Sequence, residues 1–372
     1  MTLVYSEEQQ ELRDAVRRLL ADKAGSAELR TTIDSDDGYD HSLWSQMAEQ
    51  IGLHGLAIPE EFGGAGFTFV ELSIVFEEMG RALLAGPFFS SVGLAANLLL
   101  CSDDDAAKKD LLPGIAEGAT IATAAFSGLD GSIALDDVAL TAANVDGGWT
   151  VDGEAAYVTD GLVADLILVV AKSDGGLSLL AVDGTADGVT RVDMPALDLT
   201  RRLAKITFAG APARLIGTAG SAAAGVQAGL DRATACLAAE QVGAAQFCLD
   251  QAVAYSKVRV QFERPIGSFQ VIKHRAADML MKVETARSAA MYAASAIGDD
   301  LADEIDLAVA IAGAFCPDAF FDVAADNIQI HGGIGYTWEH DAHLYFRRAK
   351  SGQLLFGTPN SFRDRVADLG GY

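Results

Sequence analysis

Apolar residues in the first third of the chain recur at helical spacing. Leu12, Val16, Leu19 and Leu20 share one face behind Ser6-Glu7-Glu8, an acidic start that suits a helix N-terminus. Leu43, Met47 and Ile51 repeat the period, and Val70, Ile74, Phe76 and Met79 resume it. Between them, residues 56–66 hold one proline and three glycines, which predicts a turn-rich crossing. From about residue 119 the pattern shortens into alternating or β-branched runs at 120–126, 138–141, 149–151, 156–159, 166–170, 177–182 and 204–208. Gly and Asp punctuate them, as in Asp146-Gly147-Gly148 and Asp152-Gly153. Alanine-rich helical stretches follow at about 230–260, 269–297 and 301–326, each long enough to span a bundle.

The order is helices, strands, helices. It predicts an α+β chain with an N-terminal helical domain over 1–118, a central β-sandwich or barrel over 119–217, and a C-terminal four-helix bundle over 218–372.

Composition narrows the function classes. A formal charge of −25 over 372 residues argues against a nucleic-acid surface. The longest apolar run, Phe88 to Leu100, is broken by Ser90, Ser91 and Asn97 and is too short to cross a bilayer. Cys101, Cys236, Cys248 and Cys316 form no CxxC pair, which suits free thiols in a reducing compartment. A soluble cytoplasmic protein is the expectation. An anionic ligand would need a local basic patch.

Four stretches carry more specific information. They are Ile58-Pro59-Glu60-Glu61-Phe62-Gly63-Gly64; Phe76-Glu77-Glu78-Met79-Gly80; the run from Tyr255 through Arg259, Phe262, Pro265 and Gln270 to Met279; and Gln329-Ile330-His331-Gly332-Gly333 with the later Tyr345 to Lys350. In this order they resemble the acyl-CoA dehydrogenase family over nearly the whole chain. The resemblance implies the acyl-CoA dehydrogenase fold, FAD as cofactor and an oligomer. It implies that Arg259, Phe262, Gln270, Gln329, Gly332 and Gly333 touch the pyrophosphate and adenosine half of FAD, typically that of a neighbouring subunit. The chemistry agrees: a pyrophosphate takes a forked cation and glycines that let backbone N–H groups approach.

Three departures from the family pattern matter. The Thr-Glu-Pro element of the flavin loop is replaced by Ala125-Phe126-Ser127-Gly128-Leu129-Asp130-Gly131-Ser132, and a Trp-Ile-Thr-type contact survives as Tyr157-Val158-Thr159. Thr159 remains a candidate flavin contact, with Thr358 as another. Glu263 stands where the family has glycine, an extra carboxylate near a pyrophosphate unless it points away or pairs, for instance with Arg264. Phe356 precedes Gly357-Thr358, where many members carry the catalytic glutamate, and phenylalanine accepts no proton. Glu240 is the candidate base by analogy with members that take it from the preceding long helix.

The implied reaction removes an α-proton and a β-hydride from an acyl-CoA thioester, and an electron-transfer acceptor reoxidises the flavin. Because the flavin-ring loop is degraded while the nucleotide contacts remain, the chain resembles the β-type subunit of α2β2 steroid side-chain acyl-CoA dehydrogenases, paired with a homologous subunit. The alternatives are a homotetramer using Glu240 and a non-catalytic protein of the same fold. His340 and His343 could share a helical face, but no further metal ligand is spaced with them, so no metal is expected. Arg201, Arg202, Arg347, Arg348 and Lys350 read either as ion-pair elements or as phosphate contacts.

Overall fold

The computed structural model describes residues 5–371. Helix α1 (Glu7–Lys23) opens on a capping box in which the Gln9 N–H donates to Ser6 Oγ at 3.2 Å and the Ser6 N–H to Gln9 Oε1 at 2.9 Å. Helices α2 (Ser26–Ile33) and α3 (His41–Glu49) follow, the latter capped by Asp40. Thr68 and Glu71 build a second capping box for α4 (Phe69–Arg81), in which every residue from Leu72 to Gly80 is buried. Arg13 and Arg287 converge on Glu77, while Arg13 and Arg17 pair with Glu78, so ion pairs tie α1 to this central helix.

The apolar run from Phe88 is a buried helix. It begins as a wide π turn over Phe89–Ala95 and tightens into α5 (Ala96–Leu100). Asn97 Nδ2 donates to the carbonyls of Val92 and Gly93 at 3.1 and 3.0 Å, satisfying groups that the wide turn would strand. Ser91, one of the polar interruptions, exchanges hydrogen bonds with Ala122 on the first strand. Helix α6 (Asp105–Ala116) completes the N-terminal part.

Seven strands follow: β1 (Ala122–Ala125), β2 (Thr141–Val145), β3 (Gly148–Thr159), β4 (Leu166–Ser173), β5 (Gly176–Asp183), β6 (Val189–Met194) and β7 (Leu203–Ile216). Pairings β4–β2–β3–β7–β5–β4 close a five-stranded ring, with β1 added parallel to β4 and β6 antiparallel to β7. The two runs expected at 149–151 and 156–159 are one strand, bent at register shifts where Gly153 and Tyr157 take positive φ. Residues 138–141 lead into β2 rather than forming a strand, because Val138 and Leu140 fill the core from an irregular segment. Strand β6 escapes a reading by sequence because its residues are half-buried or exposed, leaving no apolar alternation.

Three long helices end the chain: α7 (Ala223–Val258), α8 (Gln270–Gly298) and α9 (Ala302–His331). A short hairpin, β8 (Val260–Gln261) and β9 (Arg264–Pro265), joins the first two. Helices α10 (Ala342–Gly352) and α11 (Pro359–Leu369) pack on α9. By length and composition α9 could cross a membrane; its apolar window is mostly buried between α7 and α8, the position of a core helix. Helices α4 and α7 touch through backbone: a methyl group on Gly80 would fall 1.9 Å from the Glu240 carbonyl oxygen, and one on Gly243 1.7 Å from that of Glu77. Only glycine permits that approach.

His54 sits in the N-terminal core with neither ring nitrogen hydrogen-bonded, packed edge-on against Trp44 and Phe88 at 4.2 and 5.1 Å. Burial pushes its pKa down from 6.5 to about 4. Between those values the unfolded chain binds a proton that the folded chain refuses, so stability is present above the unfolded pKa and lost as pH falls through the window. The expected loss is about 3 kcal/mol at the acid end. Denaturant titrations should show His54→Leu removing this part of the pH dependence. An unchanged pH profile in that variant would exclude His54 as its source.

Candidate active site and nucleotide face

A cavity of about 630 Å³ opens between the strand ring and the loop before α11. Thr159 reaches it from the end of β3, its carbonyl accepting a 2.6 Å hydrogen bond from Thr123 Oγ1. Thr358 lines the opposite side as the N-cap of α11, its Oγ1 accepting from the Ser361 N–H at 3.2 Å. Tyr157 projects into the same space from the bend in β3, its backbone at φ +56°. Phe356 forms part of the wall, 8% exposed and stacked on Phe89 at 5.7 Å. On its other side lies a second cleft of about 610 Å³, where Arg365 grips Asp231 through both carboxylate oxygens at 2.6 and 2.8 Å. Phe356 thus lines both spaces.

Beneath this cavity is a charged cluster in the protein interior. Glu240, on α7 and 5% exposed, accepts hydrogen bonds from Arg201 Nη2 at 2.7 Å and Arg348 Nη1 at 2.9 Å. Arg348 also donates through Nε to Thr200 Oγ1 at 2.9 Å and through Nη2 to the Leu84 and Thr200 carbonyls. Its Nε lies 3.0 Å from Asp198 Oδ2, but its single hydrogen is spent on Thr200, whose hydroxyl donates onward to Asp198 Oδ1 at 2.6 Å. Burial pushes the Glu240 carboxyl up, yet the two guanidinium charges outweigh it and hold the acid below its usual range. Asp160 stands at the edge of the cluster, where burial raises it to about 6 despite the nearby charges of Arg201 and Arg348.

This arrangement corrects the expectation for Glu240. A general base needs proton affinity and access to substrate; Glu240 has two cations lowering the first and does not line the cavity. It is the counter-ion of Arg201 and Arg348. Those two arginines, left open in the sequence between ion pair and phosphate contact, are settled as an ion pair. The signal available was Glu240 itself: a carboxylate within Leu237-Ala238-Ala239-Glu240-Gln241-Val242 demands a cation, although nothing in the sequence says which. His340 and His343 diverge into aromatic packing, the first against His331 and the second against Trp338.

The remaining expected residues gather elsewhere, at one end of the long helices. Tyr255 stacks on His331 at 4.3 Å, Asn327 donates to Gln251 at 2.9 Å, and Arg275 pairs with Asp326, so the ends of α7 and α9 and the start of α8 lie together. On this end Arg259, Phe262, Gln270, Gln329, Gly332 and Gly333 are all exposed. Arg259 makes no ion pair among the described residues. Gly332 holds φ +67° and ψ −141°, a region reserved for glycine, and a methyl group on Gly332 or Gly333 would meet nothing within 4 Å. The chain's own packing therefore does not explain why position 333 is glycine, whereas close approach of a ligand to the backbone would. A free forked cation, two exposed amides and an open glycine pair fit a dinucleotide. Thr159 and Thr358 form a separate group in the cavity.

Replacing Glu240 by Gln should strand two buried guanidinium charges. The expected cost is about 3–5 kcal/mol in chemical denaturation. A loss below about 1 kcal/mol would remove the ion-pair role.

Comparison with known proteins shows the family. Residues 6–119 match the acyl-CoA dehydrogenase N-terminal domain and residues 223–369 the acyl-CoA dehydrogenase C-terminal domain. The acyl-CoA dehydrogenase IpdE2 of Mycolicibacterium smegmatis is 36% identical over 358 residues, covering 95% of this chain and 96% of that protein. A solved variant of the Tcur3481-Tcur3483 steroid ACAD is 30% identical with a TM-score of 0.89, covering 100% of this chain and 99% of the other. The ChsE4-ChsE5 complex from Mycobacterium tuberculosis is 28% identical with a TM-score of 0.90 over the same shares.

Proposed function

The chain belongs to the acyl-CoA dehydrogenase family of oxidoreductases, and from that premise we propose that it is the nucleotide-gripping half of a heteromeric enzyme. The observation that carries this reading is the contrast between its two candidate regions. Arg259, Gln270 and Gln329 are exposed with no side-chain hydrogen bond or ion pair among the described residues, Gly332 and Gly333 leave open space beside them, and the cavity offers Phe356 where a proton acceptor is required.

In this reading Arg259 donates to the FAD pyrophosphate, the amides of Gln270 and Gln329 flank it, and Gly332 and Gly333 let the backbone come close, with Phe262 beside the adenosine. Bound FAD supplies the acceptor for the β-hydride, and its reoxidation falls to an electron-transfer partner. The homologous subunit holds the flavin ring and the base that takes the α-proton, in an α2β2 assembly. Thr159 and Thr358 keep polar edges in this chain's own cavity, whose lining carboxylates, Asp130 and Asp198, accept hydrogen bonds from Ser132 and Thr200. The division of labour follows the three units proposed at 1–118, 119–217 and 218–372. Two solved relatives are paired proteins and one is called a steroid ACAD, which supports an acyl-CoA thioester of a steroid side chain as the substrate.

Purified alone, the chain should be colourless. Co-expressed with a homologous acyl-CoA dehydrogenase subunit, it should purify as a yellow complex with flavin absorbance and dehydrogenate acyl-CoA. A yellow, active chain without any partner would overturn the heteromeric assignment.

Two variants locate the nucleotide contact. Loss of a charge-assisted hydrogen bond in Arg259→Ala should weaken FAD retention by the complex about 10- to 100-fold. Gly333→Ala should do likewise while leaving the melting temperature of the isolated chain unchanged, because the added methyl group meets nothing there. Full flavin occupancy in both would remove the assignment.

A further inference from the structure

The buried cluster beneath the cavity does not balance in charge. Arg201 and Arg348 bring two guanidinium groups, Asp160, Asp198 and Glu240 bring three carboxyl groups, and all five side chains are at most 5% exposed. Glu240 accepts from both arginines, while Asp198 lies beside Arg348 and accepts from Thr200. Asp160 is left over. Its side chain makes no ion pair or hydrogen bond among the described residues, and its Oδ2 is sealed from solvent. The Ser90 hydroxyl beside it, on the wide helical turn, donates instead to the Pro87 carbonyl at 3.0 Å.

Ionising all three acids leaves a net negative charge in the protein interior, where an unpaired ion is costly. One proton restores neutrality, and Asp160 is the group placed to hold it. Arg201 and Asp198 face it from the segment before β7 and Arg348 faces it from α10, and both guanidinium groups are committed to Glu240 on α7. The Arg202 guanidinium turns away, to the Ile33 and Ser35 carbonyls at 3.0 and 2.7 Å. Burial therefore outweighs the two cations, and the Asp160 carboxyl titrates at about 6 rather than at its ordinary 3.8. Asp160 also joins the cluster to the cavity. It follows Thr159 at the end of β3, and its N–H donates to the Arg202 carbonyl at 2.9 Å.

We propose that the cavity floor is a one-proton switch: a proton on Asp160 keeps the end of β3 docked on the cluster, and its loss puts an unbalanced charge under Thr159 that loosens this strand end from residues 198–202. The switch does not depend on the heteromeric reading. The folded chain holds this proton more tightly than the unfolded chain, so its stabilisation is complete below 3.8 and is lost as pH rises through 6. His54 acts in the opposite sense, withdrawing stability as pH falls from 6.5 towards 4. The two windows overlap with opposite slopes and offset each other in the wild-type chain, so a variant of either residue exposes the other.

Asp160→Asn tests this directly, because asparagine has the same shape, tolerates the left-handed backbone at φ +53° and never ionises. Urea titrations of the full chain should give variant and wild type similar folding constants near the acid end of the window. At about pH 8 the variant should be favoured about 10- to 100-fold, the equivalent of one to two pKa units. Hydrogen exchange, referenced to the intrinsic rate at each pH, should show residues 158–161 opening more readily at high pH in wild type and not in the variant. Asp198→Asn leaves two acids against two cations, so it should shrink the pH-dependent loss of stability without reversing its direction. Parallel pH profiles for wild type and Asp160→Asn would overturn the proposal. So would an Asp160→Asn chain less stable than wild type at about pH 8, since the carboxylate would then be serving the fold in its charged form.

Discussion

A carboxylate in the middle of a long buried helix cannot leave water unless cations leave with it. Glu240 meets that condition with Arg201 from the strand region and Arg348 from α10, and this pairing dictates how three parts of the chain sit against one another. Arg348 extends the tie to the Leu84 carbonyl just beyond α4. The same stretch of α7 lies backbone-to-backbone on α4 through Gly80 and Gly243. Charge and steric contact therefore coincide on one turn of helix. A buried pair of this kind adds little net stability relative to an apolar core but heavily penalises any arrangement that separates it. Its value lies in register.

That use of Glu240 also bears on chemistry. A base must be able to accept a proton, and a carboxylate between two guanidinium groups is the wrong instrument. Phe356 walls the cavity, and the two acids that line it, Asp130 and Asp198, accept hydrogen bonds from Ser132 and Thr200. Outward-facing groups at the far end of the helices have the opposite character, since they are polar, unpaired and open. That contrast is the ground for the heteromeric reading.

Much of the architecture was legible in the sequence. The switch from a period near four to short alternating runs and back marked the helical, strand and helical regions, because core burial imposes those periods directly. Features without such a signature were missed. Strand β6 lies on a wet edge, β3 hides its continuity behind two bends, and the polar interruptions in Phe88–Leu100 cap a wide helical turn and a strand. Family resemblance pointed to Arg259, Gln270, Gln329 and the glycine pair, and the fold leaves all of them exposed.

What the sequence determined by itself was local: helix faces, strand runs and caps. Those depend on residues a few positions apart. The fate of charges was decided only in three dimensions. Glu240 and Arg348 are 108 positions apart and Arg201 lies 39 before Glu240, so no spacing rule links them. Electrostatic pairing acts through space, and only the closed fold determines which cation a buried carboxylate such as Glu240 meets, and which one, such as Asp160, is left without an ion pair.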